Sequence, residues 1–208
     1  MYENFKYLDA VAQKEITNGV FSGSVLSVIH KGETVYLKSF GLADKEKNIP
    51  MKTDSIFRLF SMSKPVTAAA AMILIERGLL DTRHPLKWFI PEFSDLVVLD
   101  ENGERPADRD ITIGDLLTMT SGIPYPDGTP AGQKMGALWG EQSEKYLKGE
   151  KLLDTVSFAK EMGKRPLMFS PGEKWMYGAS ADIMGAVIEV VSGMKFGDFL
   201  RKEIFDPL

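Results

Sequence analysis

The sequence predicts an α+β protein, in which helices and an antiparallel sheet occupy separate regions of the chain. The first observation is the order of its elements, since one amphipathic helix and one β-hairpin are followed almost entirely by helical segments. The second is its size and composition, because 208 residues with 44% hydrophobic side chains can build one large domain or two small ones. We therefore expect a helical subdomain and an antiparallel sheet, and the sheet has too few strands in this chain to be complete.

The N-terminal region supplies the first helix and the hairpin. Residues 3–18 carry apolar side chains at helical spacing. Residues 24–30 and 34–40 are predicted as strands joined by a turn at residues 31–33, and the polar residues 41–53 are expected to be turn-like. Two strands alone are rarely stable, and nothing further along the chain supplies good partners. We expect either further residues, or a second chain or subunit, to complete the sheet.

The remaining chain is predicted as helices separated by turns and loops. Residues 112–115, Thr-Ile-Gly-Asp, have the spacing of a capping box at a helix start. Residues 123–140 are rich in glycine and proline and predict a long irregular segment, which either walls a site or is a mobile surface excursion. The charged residues 100–110 predict an exposed loop. The predicted helices are residues 63–77, 115–120, 152–162 and 181–191.

Composition excludes several classes of function. The chain has no cysteine, which excludes disulfides, thiolate catalysis and cysteine-bound metal. Its two histidines, His30 and His84, are isolated, so a histidine-rich metal site is not expected. A net charge of −4 with mixed signs gives no reason to expect nucleic acid or a membrane as a partner. We expect no metal and no cofactor. The first residues lack a signal-peptide pattern, which predicts a cytoplasmic protein unless an export signal has been removed.

Ser61 and Lys64 form the pair that is most indicative of function. They precede the apolar residues 68–75, and residues three apart lie on one face of a helix. Pro65 is tolerated early in a helix, so the pair is expected in the first turn. The positive end of the helix dipole favours negative charge at Ser61 and, together with burial, disfavours the protonated form of Lys64. A neutral Lys64 could take the proton of Ser61 and activate it without histidine.

The spacing alone leaves two interpretations of Ser61 open. Ser-x-x-Lys occurs three times in the chain, beginning at Ser61, Ser157 and Ser192. Ser157 falls inside a predicted amphipathic helix, and Ser192 lies at the negative end of another, which is unfavourable for an oxyanion. Ser61 or Ser63 can equally be the N-cap of the following helix. The pair by itself does not decide between a nucleophile and a cap.

Four segments match, in order, the motifs of one group of enzymes. Residues 57–64, with the alanine-rich run after them, are similar to its nucleophile helix. Residues 111–122 are similar to a helix that usually carries histidine where this chain has Met119. Residues 169–177 match the approach to the second catalytic motif, and residues 183–193 match the helix after it. The chain thus resembles the penicillin-recognising serine hydrolases, which include class C β-lactamases, D-alanyl-D-alanine carboxypeptidases and family VIII carboxylesterases.

The resemblance implies a β-lactamase/transpeptidase-like fold and gives roles to the matching residues. Ser61 would be the acylated nucleophile, with its backbone N–H forming half of an oxyanion hole. Lys64 would be its proton partner, and Tyr177 would be the tyrosine of the Tyr-x-Asn motif in the same proton network. The third position of that motif is Ala179, which cannot donate an amide hydrogen bond. Ala179 and the adjacent Ser180 are the substrate-binding candidates, and the missing asparagine favours the esterase-like members.

The resemblance also divides the chain into three regions. Residues 1–56 would form the N-terminal helix and β-hairpin of an α/β subdomain, and residues 57–191 a mainly helical subdomain. Residues 192–208 would begin the return to the first subdomain. Family members continue with further strands, a third motif and the second oxyanion N–H, none of which this chain contains.

These expectations combine into one leading function and two alternatives. The leading one is a serine hydrolase that forms an acyl-enzyme on Ser61, namely a carboxylesterase with weak β-lactam hydrolysis. Its partner is then a small-molecule ester or β-lactam substrate. The first alternative is a β-lactamase or D-alanyl-D-alanine carboxypeptidase. The second is a non-catalytic penicillin-binding-type sensor or interaction module.

Overall fold

The computed structural model describes residues 5–208, and the chain divides into two compact units between Leu59 and Phe60. Within the described residues, the first unit has one helix and a three-stranded sheet, and the second has six α-helices and a two-stranded sheet. Most of the strand residues lie in the first unit and most of the helical residues in the second, and all strand pairs are antiparallel, which confirms the predicted α+β class. The unit boundary lies close to the one expected between residues 56 and 57.

The first unit is a helix followed by a short antiparallel sheet. Its elements are α1 (Lys6–Thr17), β1 (Gly23–His30), β2 (Glu33–Asp44) and β3 (Ile49–Pro50), with the strand order β1-β2-β3. Lys31 and Gly32 make a two-residue turn with φ values of 51° and 82°, the left-handed geometry that tight hairpins require. The turn-like segment expected at residues 41–53 is wrong in part, because β2 continues into it and pairs with β3. Residues 3 and 4 of the predicted helix lie outside the described residues.

The second unit is built around one central helix. Its helices are α2 (Ser63–Glu76), α3 (Ile113–Leu117), α4 (Pro130–Leu147), α5 (Thr155–Gly163), α6 (Ser180–Ser192) and α7 (Phe196–Leu200). Helix α6 contacts α2, α3, α5 and α7, and its residues Ile183–Ile188 are fully buried. A helix that is apolar on most sides forms the centre of a core. Residues 192–208 pack within this unit, where α7 contacts α2 and α6 and is followed by a π-helical turn, Arg201–Phe205.

The charged residues 100–110 are largely exposed, as expected, but residues 100–106 belong to a hairpin and not to a loop. Strands β4 (Val97–Asp100) and β5 (Gly103–Pro106) pair antiparallel, with Asp100 opposite Gly103. The backbone N–H of Leu99 also donates to the carbonyl oxygen of Leu167 at 2.9 Å. The prediction failed because the charges on this segment hid the alternation of side chains. In addition, Val98 is the one fully buried side chain of β4 and β5, and one buried residue gives no periodic pattern in the sequence.

Helix α4 replaces much of the segment expected to be irregular. Pro130 takes its first position, where a missing N–H costs nothing, and the Thr129 side chain accepts a hydrogen bond from the N–H of Gly132. Only the residues before Thr129 remain irregular. The predicted capping box is confirmed, because Thr112 and Asp115 exchange the two hydrogen bonds that define it. Helix α3 begins there at Ile113, two residues before the predicted start at residue 115.

Across residues 5–208, none of the helices combines the length and the apolar composition needed to cross a lipid bilayer.

Candidate active site

Ser61 lies on a single 3-10 turn, Phe60–Met62, that leads directly into α2. The preceding residue, Phe60, has a φ of 46°, a left-handed conformation that is uncommon for a bulky residue and is often found at functional sites. The N-cap position of α2 is Met62, and no side chain caps the helix. Neither Ser61 nor Ser63 is therefore an N-cap, which removes the structural alternative left open by the sequence.

The three residues predicted to be catalytic are brought together by the fold. The Nζ of Lys64 donates a hydrogen bond to Ser61 Oγ at 3.2 Å. The hydroxyl of Tyr177 donates a second, short hydrogen bond to the same oxygen. Tyr177 is 116 residues away along the chain, so this contact exists only because the fold creates it. Ser61 Oγ accepts from both groups.

The backbone around Tyr177 is held by close contacts with the segment that follows α3. The N–H of Met176 donates to the carbonyl oxygen of Met119 at 2.9 Å, and that of Ala179 donates to the carbonyl oxygen of Ile123 at 3.3 Å. A Cβ at Gly178 would lie 2.1 Å from the same Ile123 oxygen. Only glycine therefore fits beside Tyr177 in this arrangement.

The surroundings of Lys64 favour its charged form, whereas the sequence led us to expect a neutral lysine. Burial lowers its pKa, but its interactions with Tyr177 and Tyr125 raise it by more, and the net pKa lies above the usual 10.5. The Nζ of Lys64 lies 4.7 Å from the ring centre of Tyr177 and 5.4 Å from that of Tyr125. The electron-rich ring faces attract a cation. The expectation considered the helix and burial but not the hydrogen-bonding and charge interactions with Tyr177 and Tyr125, which raise the pKa.

The pKa of Tyr177 is shifted in the opposite direction. Hydrogen bonding to Lys64, and then to Ser61, lowers it below the usual 10.0. An ammonium group stabilises a neighbouring phenolate because the two charges attract. Lys64 therefore favours the basic form of the tyrosine that contacts Ser61.

Two further residues complete the polar surroundings of Lys64. The sequence pointed to one of them, Asp182, only as a match to the esterase-like pattern, and it did not point to Tyr125. The hydroxyl of Tyr125 donates to Asp182 Oδ2 at 2.8 Å. Burial, followed by the charge of Asp182, raises the pKa of Tyr125 to about 12, so Tyr125 stays neutral. Tyr125 lies in the irregular segment, where no pattern distinguishes it. Asp182 could be explained as an ordinary acid in the first turn of a helix.

A cavity of about 580 Å³ opens beside Ser61 and Lys64. One part of its wall is formed by the aromatic side chains of Tyr125, Trp139, Phe158 and Phe196, and polar residues, among them Asp182, form another part. Such a wall suits an apolar substrate group held next to a few polar atoms.

The two residues predicted to bind substrate do not line this cavity. Ala179 and Ser180 are fully buried at the start of α6. Ser180 Oγ is hydrogen bonded to Ser121 Oγ at 2.8 Å. Their side chains pack in the core at the start of α6, because the chain enters the core immediately after Gly178. In this structure both side chains pack in the core, and the expectation that they bind substrate stays a prediction.

Comparison with known proteins agrees with this geometry. The Beta-lactamase family profile matches residues 8–208. Esterase EstB of Burkholderia gladioli is 32% identical over 204 residues, covering 97% of this chain and 49% of EstB. Lovastatin esterase of Penicillium rubens is 33% identical over 211 residues, and the match covers 97% of this chain and 50% of that esterase. The solved structure of EstCE1, a hydrolase with promiscuous acyltransferase activity, superposes with a TM-score of 0.79 at 27% identity, covering 97% and 50%.

The chain spans about half the length of the curated relatives it matches. The match nevertheless includes both segments that meet at Ser61, the one that carries Ser61 and Lys64 and the one that carries Tyr177. The chain belongs to the beta-lactamase family and has its β-lactamase/transpeptidase-like fold.

Proposed function

We propose that the complete protein is a serine hydrolase of the carboxylesterase type, which forms an acyl-enzyme on Ser61. The observation that carries the proposal is the convergence of Lys64 and Tyr177 on Ser61 Oγ beside a cavity with a partly aromatic wall. A nucleophile needs a base within hydrogen-bond reach and a group that adjusts that base. Tyr177 and Lys64 meet these two requirements.

The proposed reaction starts with the phenolate form of Tyr177. It takes the proton of Ser61 as Oγ attacks the ester carbonyl, and the resulting tetrahedral oxyanion is stabilised by N–H donors that include that of Ser61. Tyr177 then gives the proton to the departing alcohol, which leaves an acyl group on Ser61. A water molecule then loses a proton to Tyr177 and attacks the acyl carbon. As the bond between the acyl carbon and Ser61 Oγ breaks and the acid is released, Tyr177 returns that proton to Ser61 Oγ and is a phenolate again. The Lys64 ammonium stabilises the phenolate throughout.

An ester is favoured over a β-lactam or a peptide as the substrate. The chain has Ala179 where the β-lactamase and peptidase motif has an amide donor, and Ala179 is also buried. Two relatives of similar identity are named as esterases. Weak β-lactam hydrolysis remains part of the proposal, because the acyl-enzyme chemistry is the same for both carbonyl groups.

The test compares Ser61→Ala with Ser157→Ala in the full-length protein. Ser157 belongs to the second Ser-x-x-Lys pair and lies on α5, which makes it a matched control. With a chromogenic butyrate ester, Ser61→Ala should lower kcat/KM by at least about a thousandfold, and Ser157→Ala should leave it unchanged. Equal turnover by wild type and Ser61→Ala would remove the assignment.

Two further measurements separate the alternatives. A preference for a chromogenic cephalosporin or a D-Ala-D-Ala peptide over the ester would favour the β-lactamase or peptidase. A stable phosphonate adduct on Ser61 in mass spectrometry, without turnover, would favour the sensor, and no adduct would favour an interaction module. The second chain or subunit expected to complete the sheet stays a prediction, and the native mass of the purified protein tests it.

A further inference from the structure

A second apolar space adjoins the cavity at Ser61. This groove, of about 450 Å³, lies between the C-terminal half of α4 and the residues that lead into α5. Trp139, Leu153 and Phe158 line both the groove and the cavity. The two spaces are therefore neighbours that share one wall.

The groove continues onto an exposed apolar surface. Tyr146, Leu147 and Leu152 line it and are all exposed. A cluster of large apolar side chains on a protein surface usually marks a binding site. Ion pairs balance its charged neighbours, with Lys145 Nζ 2.6 Å from Glu141 and Lys148 Nζ 3.7 Å from Glu144. These pairs leave little net charge and so favour a neutral apolar ligand over an anionic lipid surface.

The shared wall is not fixed by a hydrogen bond at Trp139. Its indole Nε1 is buried and has no hydrogen-bond partner among residues 5–208, although buried N–H groups are normally paired. The ring is held by edge contacts instead, with its centre 5.9 Å from that of Tyr125 and 5.1 Å from that of Phe158. A rotation of the Trp139 ring would therefore break no hydrogen bond of its indole N–H.

We infer that the cavity and the groove form one extended site for esters with a long apolar chain. The apolar chain of the bound ester would run from Ser61 past Leu153 and end in the groove between α4 and α5. This inference rests on the proposed function and specifies its substrate class. It predicts a preference for chains that are long enough to reach Leu152 over chains that fill only the cavity.

The test compares kcat/KM for p-nitrophenyl decanoate and p-nitrophenyl butyrate in the full-length protein. Leu152→Ser should lower the decanoate-to-butyrate ratio by about tenfold, the scale of lost apolar contact in a substrate pocket. Leu79→Ser is the matched control, because Leu79 is 53% exposed compared with 41% for Leu152 and lines neither space. The ratio in Leu79→Ser should equal that of wild type.

A binding measurement separates this inference from the proposed function. In the Ser61→Ala protein, calorimetry should show that p-nitrophenyl decanoate binds more tightly than p-nitrophenyl butyrate. Adding Leu152→Ser to this protein should remove the difference in affinity. If this holds but no ester is turned over through Ser61, the site stands and the proposed esterase function fails. If esters are hydrolysed through Ser61 but Leu152→Ser leaves the ratio unchanged, the inference is overturned. A lower native mass in Leu152→Ser with an unchanged ratio also overturns it, since the groove would then be a contact between copies.

Discussion

At the residue scale, the central feature of the site is the pair of hydrogen bonds that Ser61 Oγ accepts. Lys64 and Tyr177 both donate a hydrogen bond to Ser61 Oγ. The Ser61 hydroxyl can therefore lose its proton only when one of these two groups is deprotonated and can accept it. Lys64 has a raised pKa and keeps its protons, whereas Tyr177 has a lowered one. The base is therefore expected to be Tyr177, and the lysine acts by stabilising its charge.

This division of roles predicts an alkaline pH dependence. The value of kcat/KM for an ester should rise about tenfold per pH unit below the pKa of Tyr177, since only the phenolate accepts the proton. It should fall again above the higher pKa of Lys64, which must stay charged. Tyr177→Phe should lower kcat/KM by roughly 10²- to 10⁴-fold and abolish the rising limb. The exposed Tyr7→Phe serves as control, and an unchanged limb in Tyr177→Phe would show that another group is the base.

Single residues were predictable where spacing or a motif marks them. Ser61 and Lys64 are three apart at a helix start, and Tyr177 lies in a recognisable motif, so the sequence alone was enough to name these three. Tyr125 could not be named, because its role comes from a long-range contact with Asp182. The direction in which the pKa of Lys64 shifts was also not predictable, since it depends on interactions with two tyrosines that are distant in sequence.

At the element scale, Tyr177 is positioned by the segment between α3 and α4. The carbonyl oxygens of Met119 and Ile123 accept hydrogen bonds from the residues on either side of Tyr177. The carbonyl oxygen of Thr120 also accepts from the N–H of Gly172 at 2.8 Å. The approach to the tyrosine is thus attached to the end of α3 at several points, and its geometry depends on close backbone packing.

Gly178→Ala should disturb this packing and the reaction with it. The added Cβ would meet the Ile123 oxygen at 2.1 Å, so the backbone must shift and carry Tyr177 away from Ser61. We expect kcat/KM to fall by about 10²-fold, the cost of a misplacement of about 1 Å. Gly140→Ala on α4 meets no atom within 4 Å and should be neutral or stabilise the fold by about 0.5–1 kcal/mol. Unchanged activity in Gly178→Ala would contradict this account of how Tyr177 is held.

Elements were predictable where apolar spacing is regular. The central helix α6 and the helix α2 that follows Ser61 were predicted close to their observed bounds for this reason. Helix α4 was missed because glycine and proline around residues 123–140 indicated a loop, although Thr129 and Pro130 mark a helix start. The β4–β5 hairpin was missed because charged side chains cover it and its pairing with neighbouring backbone is not visible in the sequence.

At the scale of the whole molecule, the fold class followed from the order of the elements, while the polar network that ties the second unit together did not. Asp115 is the centre of that network. Arg109 donates to both of its carboxylate oxygens at 2.7 and 2.8 Å. Thr112 and Thr120 donate to it as well. The carboxylate thus joins the β5–α3 connection to the segment that leads towards Tyr177.

Asp115 should therefore govern part of the acid stability of the molecule. Burial raises its pKa, but hydrogen bonds from Arg109 and Thr112 outweigh burial and lower it to about 2, below the usual 3.8. Its stabilisation is then complete above about pH 4 and is lost as the pH falls towards 2.

With only 8% of the Asp115 side chain exposed, Asp115→Asn should cost about 2 kcal/mol in the free energy of unfolding at pH 7. Urea unfolding at several pH values between 7 and 2 measures this cost. The difference from wild type should shrink across the acid range, because protonation removes the same charge. Asp108→Asn is the control, since that side chain is 79% exposed and only 3.9 Å from Arg105, and it should change stability by less than about 0.5 kcal/mol. An equal cost for both variants, or a pH-independent cost for Asp115→Asn, would mean that the paired charge does not hold this part of the molecule together.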